Sequence, residues 1–214
     1  MKQVAILGST GSVGCNTLRV IAQHRQRFCV YALTAHSNIT LLLEQCRLFK
    51  PKLAVVADEA AAQKLTIQLR DMDCEVLVGA AGLVTAATAN AVDYVMAAIV
   101  GAAGFMPTLM ALRAGKRVLL ANKEALVMAG DLMMQAVDAH QAELLPIDSE
   151  HNAIFQCLPR CKTMRPHTIG IEKIILTASG GPFLTTPLTA LPRVSSQQAC
   201  SHPNWRMGQN ISVD

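Results

Sequence analysis

The chain has 214 residues, of which 51% are hydrophobic and 16% charged, with a formal net charge of +4. That length and apolar content fit one large domain, or one domain with part of a second, and exclude a disordered chain. Lysine and arginine are scattered, without a stripe interleaved with aromatics, which argues against a nucleic-acid partner and leaves small, including phosphorylated, ligands as the expected partners.

From the N-terminus, Met1-Lys2-Gln3 runs directly into an apolar segment, with no long apolar core of a secretory signal. Short apolar runs then alternate with helical patterns. Strands are expected near Gln3–Leu7, Cys29–Thr34, Leu53–Val56, Glu75–Val78, Tyr94–Ala97, Arg117–Leu120 and Glu143–Pro146. Helices are expected near Val13–Gln23, Thr40–Phe49, Glu59–Leu69, Ala81–Ala89, Met106–Ala114 and Glu124–His140. Continuous apolar strands separated by helices predict βαβ units around a parallel sheet covered on both faces. Tyr94 through Leu112 carries no charge and approaches the ~20 residues of a membrane span. Gly101, Gly104 and Pro107 interrupt it, however, so a buried strand, a turn and a helix start are expected there, and no membrane association.

After about residue 150 the rhythm changes. A helix near His151–Leu158, a polar loop and a strand near Lys173–Thr177 are expected, followed from Pro182 by long loops rich in Pro, Ser and Thr. The expected fold class is therefore α/β. Residues 1–147 form a Rossmann-like, doubly wound parallel sheet, and residues 148–214 begin a second, incomplete α+β domain. Seven cysteines at irregular spacings, with no CxxC pair, fit free thiols in a reducing compartment, so a cytoplasmic location is expected.

Two places carry chemistry on their residues alone. Gly8-Ser9-Thr10-Gly11-Ser12-Val13-Gly14 follows the first strand and opens the first helix. There, glycines let backbone approach a pyrophosphate and helix N–H groups face its charge; the alternative is a tight strand-to-helix turn without a ligand. The second strand ends in Thr34-Ala35-His36-Ser37-Asn38, without the acid that binds a ribose 2′-hydroxyl in NAD enzymes. His36, Ser37 and Asn38 offer donors to a 2′-phosphate, which favours NADP(H) and leaves NAD(H) open. The other place is Asp148-Ser149-Glu150-His151-Asn152, after the last strand of the first half. Asp148 and Glu150 are hard oxygen donors at a strand end and suit Mg²⁺ or Mn²⁺. The alternative is that Asp148 or Ser149 N-caps a helix starting at Glu150.

Three further segments single out a family: Asn122-Lys123-Glu124, Leu176-Thr177-Ala178-Ser179-Gly180-Gly181-Pro182-Phe183 and His202-Pro203-Asn204-Trp205-Arg206-Met207-Gly208. With the glycine turn and the acidic segment, they closely resemble 1-deoxy-D-xylulose 5-phosphate reductoisomerase, in the same order and across essentially the whole chain. The resemblance implies NADPH- and metal-dependent isomerisation and reduction of 1-deoxy-D-xylulose 5-phosphate to 2-C-methyl-D-erythritol 4-phosphate, in non-mevalonate isoprenoid synthesis. The metal would be Mg²⁺ or Mn²⁺, with Co²⁺ also accommodated, and the full-length form would be a homodimer.

By the same resemblance, Thr10, Gly11, Ser12 and Val13 would cradle the cofactor phosphates, and Asn122 and Glu124 would help hold the cofactor. Lys123 would face the shared cofactor and substrate site. Asp148 and Glu150 would bind the metal, with Ser149 and Glu150 touching the substrate. Ser179 and His202 would bind substrate on the phosphate side, His202 also serving catalysis, and Trp205 would belong to a flap over the substrate. Plainer roles exist for several of these: an Asn N-cap beside a solvated Lys-Glu pair, a turn serine, a loop histidine and a core tryptophan. The sequence departs from the family at His36-Ser37, where a basic residue is usual. It also stops before the family's third carboxylate ligand and its C-terminal helical domain, so the 214 residues by themselves are expected to be inactive. The rival readings are a nucleotide-binding module without catalysis and a semialdehyde-type dehydrogenase, which would need a nucleophilic cysteine.

Overall fold

Each apolar run expected in the first half becomes a strand, within a residue of its expected ends: β1 (Lys2–Leu7), β2 (Phe28–Thr34), β3 (Leu53–Val56), β4 (Glu75–Val78), β5 (Tyr94–Ala97), β6 (Arg117–Leu120) and β7 (Glu143–Pro146). The intervening helices are α1 (Ser12–Gln23), α2 (Ile39–Phe49), α3 (Glu59–Gln68), α4 (Gly79–Thr88), α5 (Phe105–Arg113) and α6 (Lys123–His140), with α7 (Ser149–Cys157) after β7. The computed structural model describes residues 1–159, 170–177 and 181–201. The chain divides into two units, Met1–Leu158 and Pro159–Asp214, so that α7 stays with the first unit, beyond the boundary expected at 147.

Among the described residues, the seven strands form one wholly parallel sheet in the order β4-β3-β2-β1-β5-β6-β7. Alternation along the strands divides the core. Ala5, Leu7, Val95, Ala97, Val118 and Leu120 face α4, α5 and α6 through Ala86, Leu109, Leu112, Ala125 and Met133. Val4, Ile6, Leu33, Ala54 and Val56 face α1, α2 and α3 through Leu18, Ile21, Leu42, Cys46 and Leu65. In β2, Val30 and Leu33 share a face although two residues, Tyr31 and Ala32, lie between them, where strict alternation would put them on opposite faces. The register slips between Val4↔Val30 and Ala5↔Ala32, so that Tyr31 is the extra residue of a bulge.

The helix ends follow local chemistry. The side chains of Asn38, Asp58 and Asn122 accept from the third backbone N–H of α2, α3 and α6, at 3.1, 2.8 and 3.1 Å. Lys50, in the left-handed region (φ 51°), ends α2 just before Pro51. The uncharged stretch from Tyr94 becomes β5, a 3-10 turn (Ala102–Gly104) and α5, and among the described residues no helix is long and apolar enough to cross a membrane.

The second unit departs from expectation in two ways. Residues 171–177 form no strand, and Ile174, Ile175 and Leu176 are exposed; a β-ladder needs a partner strand, and among the described residues none pairs with this apolar run. Part of the stretch read as loop is helical, with a 3-10 helix at Leu188–Arg193 and a short α8 (Ser196–Ala199). The Ser195 hydroxyl accepts from Gln198 N while the Gln198 side chain accepts from Ser195 N, a reciprocal cap that the Ser-x-x-Gln spacing encodes.

Candidate functional site

A parallel sheet carries the C-terminal ends of all its strands on one rim, and its order reverses at β1, where ligands of such sheets bind. The glycine turn after β1, the 98–104 segment after β5, Asn122 after β6 and Asp148 after β7 therefore share that rim. At ordinary inter-strand spacing β1 and β7 lie about 14 Å apart.

The glycine turn is held closed by contacts that leave no room for side chains. Gly8 sits at φ +84°, and a Cβ there would lie 2.8 Å from the Ala98 carbonyl oxygen. A Cβ on Gly14 would lie 2.3 Å from Gly8 O and 2.5 Å from Ser9 Cα. Gly11, by contrast, is exposed, and a Cβ there would meet just Gly8 O, at 3.5 Å. Gly11 is also the N-cap of α1 and offers no side-chain acceptor, nor does an acidic residue stand in the first turn. The first N–H groups of α1, from Ser12 onward, therefore face the rim without the side-chain oxygen that caps α2, α3 and α6, an arrangement suited to an anion. Thr10 and Val13 are half-buried on either side and Ser12 is exposed.

Two residues that sequence reasoning passed over fix this turn. Gly8 N donates to Thr34 Oγ1 (2.8 Å) and Ser9 N to the Thr34 carbonyl (2.8 Å). Gln45, from α2, is buried at 6% exposure; its Nε2 donates to the Ser9 carbonyl (2.9 Å) and its Oε1 accepts from the Ser9 hydroxyl (2.7 Å). The signal was present: Gln45 falls within the apolar stripe Leu42-Cys46-Phe49 of α2, and a buried amide needs partners.

His36, Ser37 and Asn38 are exposed at the end of β2, where a 2′-phosphate was expected. Asn38 Oδ1 is engaged by Leu41 N, which leaves the Asn38 NH₂ as the side chain's donor toward the rim.

Asn122 is 3% exposed, and its side chain points inward rather than toward a ligand. Nδ2 donates to the Ile99 carbonyl and to the Gly101 carbonyl (2.9 Å), while Oδ1 caps α6. What Asn122 can offer a cofactor is thus the shape of the 98–104 segment, in which Gly101 adopts φ +74° with open space where a Cβ would stand. Lys123 and Glu124 follow in the first turn of α6, both half-buried.

Asp148 occupies the N-cap position of α7, as the plainer reading had it, but the helix starts at Ser149 and the carboxylate makes no capping bond. Its Oδ1 lies 3.2 Å from His151 Nδ1, and the side chain is 20% exposed. Ser149 and Glu150 are exposed in the first turn. Asn152 Nδ2 donates to the Pro146 carbonyl (2.7 Å), pinning the helix start to the end of β7. Asp148 and Glu150 are thus oxygen donors not consumed by capping, which fits a hard divalent cation in chemistry; among the described residues no third His, Cys, Asp or Glu joins them in a cluster. Ser179, His202 and Trp205 lie outside the described residues.

Two family models match the chain: 1-deoxy-D-xylulose 5-phosphate reductoisomerase over residues 4–130, and the 1-deoxy-D-xylulose 5-phosphate reductoisomerase C-terminal domain over residues 144–214. The 1-deoxy-D-xylulose 5-phosphate reductoisomerase of Acinetobacter baylyi is 58% identical over 219 residues, covering 100% of this chain and 55% of the relative. That of Saccharophagus degradans is 57% identical over 216 residues, with the same coverage of 100% and 55%. Among solved structures, DOX-P reductoisomerase in complex with NADPH, fosmidomycin and magnesium is 46% identical with a TM-score of 0.86, covering 99% of this chain and 53% of that one. The Zymomonas mobilis reductoisomerase in complex with NADPH is also 46% identical with a TM-score of 0.86, covering 94% and 52%. The chain spans about half the length of the curated relatives it matches.

Proposed function

Because this chain belongs to the 1-deoxy-D-xylulose 5-phosphate reductoisomerase family, we propose that it encodes the nucleotide-binding half and the start of the substrate-binding part of an enzyme converting 1-deoxy-D-xylulose 5-phosphate to 2-C-methyl-D-erythritol 4-phosphate. NADPH is the proposed cofactor and Mg²⁺ or Mn²⁺ the proposed cation. When bound, the nicotinamide supplies a hydride and the cation supplies positive charge against the oxygens of the substrate.

The chain's own residues serve that reaction by binding and orientation. Thr10, Gly11, Ser12 and Val13, with the uncapped start of α1, receive the pyrophosphate, and the short turn locked by Thr34 and Gln45 keeps those N–H groups aimed outward. His36, Ser37 and Asn38 receive the 2′-phosphate, as neutral donors in place of a fixed cation. Glu124 and the segment shaped by Asn122 border the nicotinamide side, and Lys123 brings a positive charge to where cofactor and substrate meet. Asp148 and Glu150 hold the cation, and Ser149, Ser179, His202 and Trp205 contact the sugar phosphate, with Trp205 helping to exclude water. Homodimeric assembly and a cytoplasmic location belong to the same reading and rest on the family.

One observation carries the proposal: the closely packed glycine turn at Gly8–Gly14 opens an uncapped helix at the reversal point of the sheet, on the rim that also bears Asp148. Calorimetric titration with NADPH and with NADH tests it, repeated on Ser12→Asp. NADPH should bind, more tightly than NADH, and the carboxylate at the first helical position should weaken NADPH at least about tenfold by opposing the pyrophosphate (about 1.4 kcal/mol). Equal NADPH affinity in the variant would overturn the assigned site.

A further inference from the structure

On the face of the sheet that carries α1, an apolar groove of about 370 Å³ runs between that helix and the strands beside it. Met96 of β5 and Leu119 of β6 lie along its floor, and Val13 and Val20 of α1 stand on its wall. Among the described residues that line it none carries a charge, and Val20 is 51% exposed. Val13 and Ile21 both line it, so the groove follows α1 for about 12 Å.

The end of the groove at the N-terminal rim of the strands has a different character. Phe28 and Tyr94, the first residues of β2 and β5, flank it with rings whose centroids are 6.2 Å apart. The Arg27 guanidinium lies 5.6 Å from the centre of the Phe28 ring, and that of Arg117 lies 5.0 Å from the centre of the Tyr94 ring. The Tyr94 hydroxyl also accepts from Arg117 Nη1 (2.7 Å). Lys2, in register with Phe28, brings a further cation. Asp93 engages Lys2 and Glu143 engages Arg117, whereas among the described residues no acid pairs with Arg27. The cations at this mouth therefore outnumber the acids, and a guanidinium resting on a ring keeps N–H donors at its edge for an anion.

We propose that this groove is a binding site for a linear amphiphile with an anionic head group. The apolar tail lies along α1 over Met96 and Leu119, and the head group meets Arg27 and Arg117 beside the two rings. Charge-free walls hold an apolar tail, the volume falls in the range of small-molecule pockets, and the cationic mouth selects the sign of the head group. That mouth is on the rim opposite the glycine turn, so the head group and the cofactor pyrophosphate occupy separate places.

The test titrates the 214-residue chain with dodecyl phosphate below its micelle concentration, by calorimetry. Dodecyltrimethylammonium and inorganic phosphate serve as the comparison ligands, and circular dichroism verifies that the protein stays folded. Dodecyl phosphate should bind once per chain, with no heat from inorganic phosphate, and dodecyltrimethylammonium should bind at least about tenfold more weakly. Val20→Asp, at a half-exposed wall position, should abolish the binding. Arg27→Glu, at an exposed position outside the groove walls, should weaken dodecyl phosphate at least about tenfold and narrow the gap to dodecyltrimethylammonium. Equal affinity for the two dodecyl compounds in the unaltered chain would show adsorption to an apolar surface and overturn the proposal, as would undiminished dodecyl phosphate binding in either variant. A dimer in size-exclusion chromatography that Val20→Asp dissociates would overturn it too, because a second copy would then fill the groove.

Discussion

Asn122 offers the sharpest separation of local support from cofactor binding. Its side chain does two jobs at once, capping α6 through Oδ1 and tethering the Ile99 and Gly101 carbonyls through Nδ2. In Asn122→Ala both are lost. The cap contributes about 1 kcal/mol, and each of two carbonyls deprived of a donor in a buried setting costs about 1 kcal/mol. The sum, about 3 kcal/mol, should lower the melting midpoint by about 6–12 °C in a chain of this size. In Asn122→Asp an oxygen remains to accept from Ala125 N, so the cap survives, but an anion now faces the two carbonyls and repels them. That variant should keep the α6 start yet open the 98–104 segment, so its NADPH affinity should fall at least about tenfold. Thermal melting followed by NADPH titration on both variants distinguishes the jobs. Wild-type NADPH affinity in Asn122→Asp would refute the claim that the tether shapes the cofactor site, and a wild-type midpoint in Asn122→Ala would refute the energies.

Other expectations follow from the same packing. Gly14→Ala places a methyl within 2.5 Å of backbone that cannot yield; it should cost about 1–3 kcal/mol and abolish NADPH binding. Gly11→Ala, with open surroundings and an extended N-cap at φ −78°, should melt as wild type, and equal melting of the two variants would contradict the geometry. Gln45→Met keeps the volume but strips the Ser9 carbonyl of its amide donor, so stability should fall by about 1–3 kcal/mol with weakened NADPH binding. Gln45→Glu should not restore it, because an ionised carboxylate cannot donate; full binding in either variant would show that the clasp is dispensable. The Asp93 carboxyl is held below its ordinary value first by the Lys2 ammonium and next by Gln3 N–H. Its stabilisation is therefore complete above the unfolded value near ~3.9 and disappears as the pH falls through the lower folded value. Asp93→Asn should thus reduce neutral stability and flatten the acid limb below about pH 4, read as urea midpoints against pH; an unchanged acid limb would sink this.

The parts of the fold that local pattern controls were legible. Strands such as Leu53–Val56 and Arg117–Leu120 are continuous apolar runs with both faces covered, so their ends coincide with the runs. The glycine turn was legible because no other residue type fits at Gly8 or Gly14. The Lys173–Thr177 run shows the opposite case, since strand formation requires a partner that an apolar run does not itself supply. The inward direction of Asn122 was hidden for a related reason. An Asn at a helix start reads equally well as a cap, a ligand contact or both, and its donors are decided by carbonyls more than twenty residues away. Thr34 and Gln45 escaped notice because their function is to hold Ser9, which itself looks like an ordinary turn residue.

The two halves of the site rest on unlike foundations. The nucleotide turn lies in the middle of the sheet, clamped by buried groups from β2 and α2 and by close backbone contact with the segment after β5. Its geometry is therefore set by folding of the first unit and should change little on binding, which favours affinity by lowering the ordering cost. The acidic pair stands after β7, an edge strand, at the start of a helix with no buried residue, and two carboxylates supply a minority of an octahedral shell. On the proposed roles, cation affinity would depend on oxygens beyond this pair, whereas nucleotide affinity would not. It follows that Asp148→Asn and Glu150→Gln should leave NADPH titration unchanged in the 214-residue chain, while Ser12→Asp should damage it whether or not Mn²⁺ is present. Loss of NADPH binding on neutralising the acidic pair would mean that the two halves are built as one unit, contrary to this division.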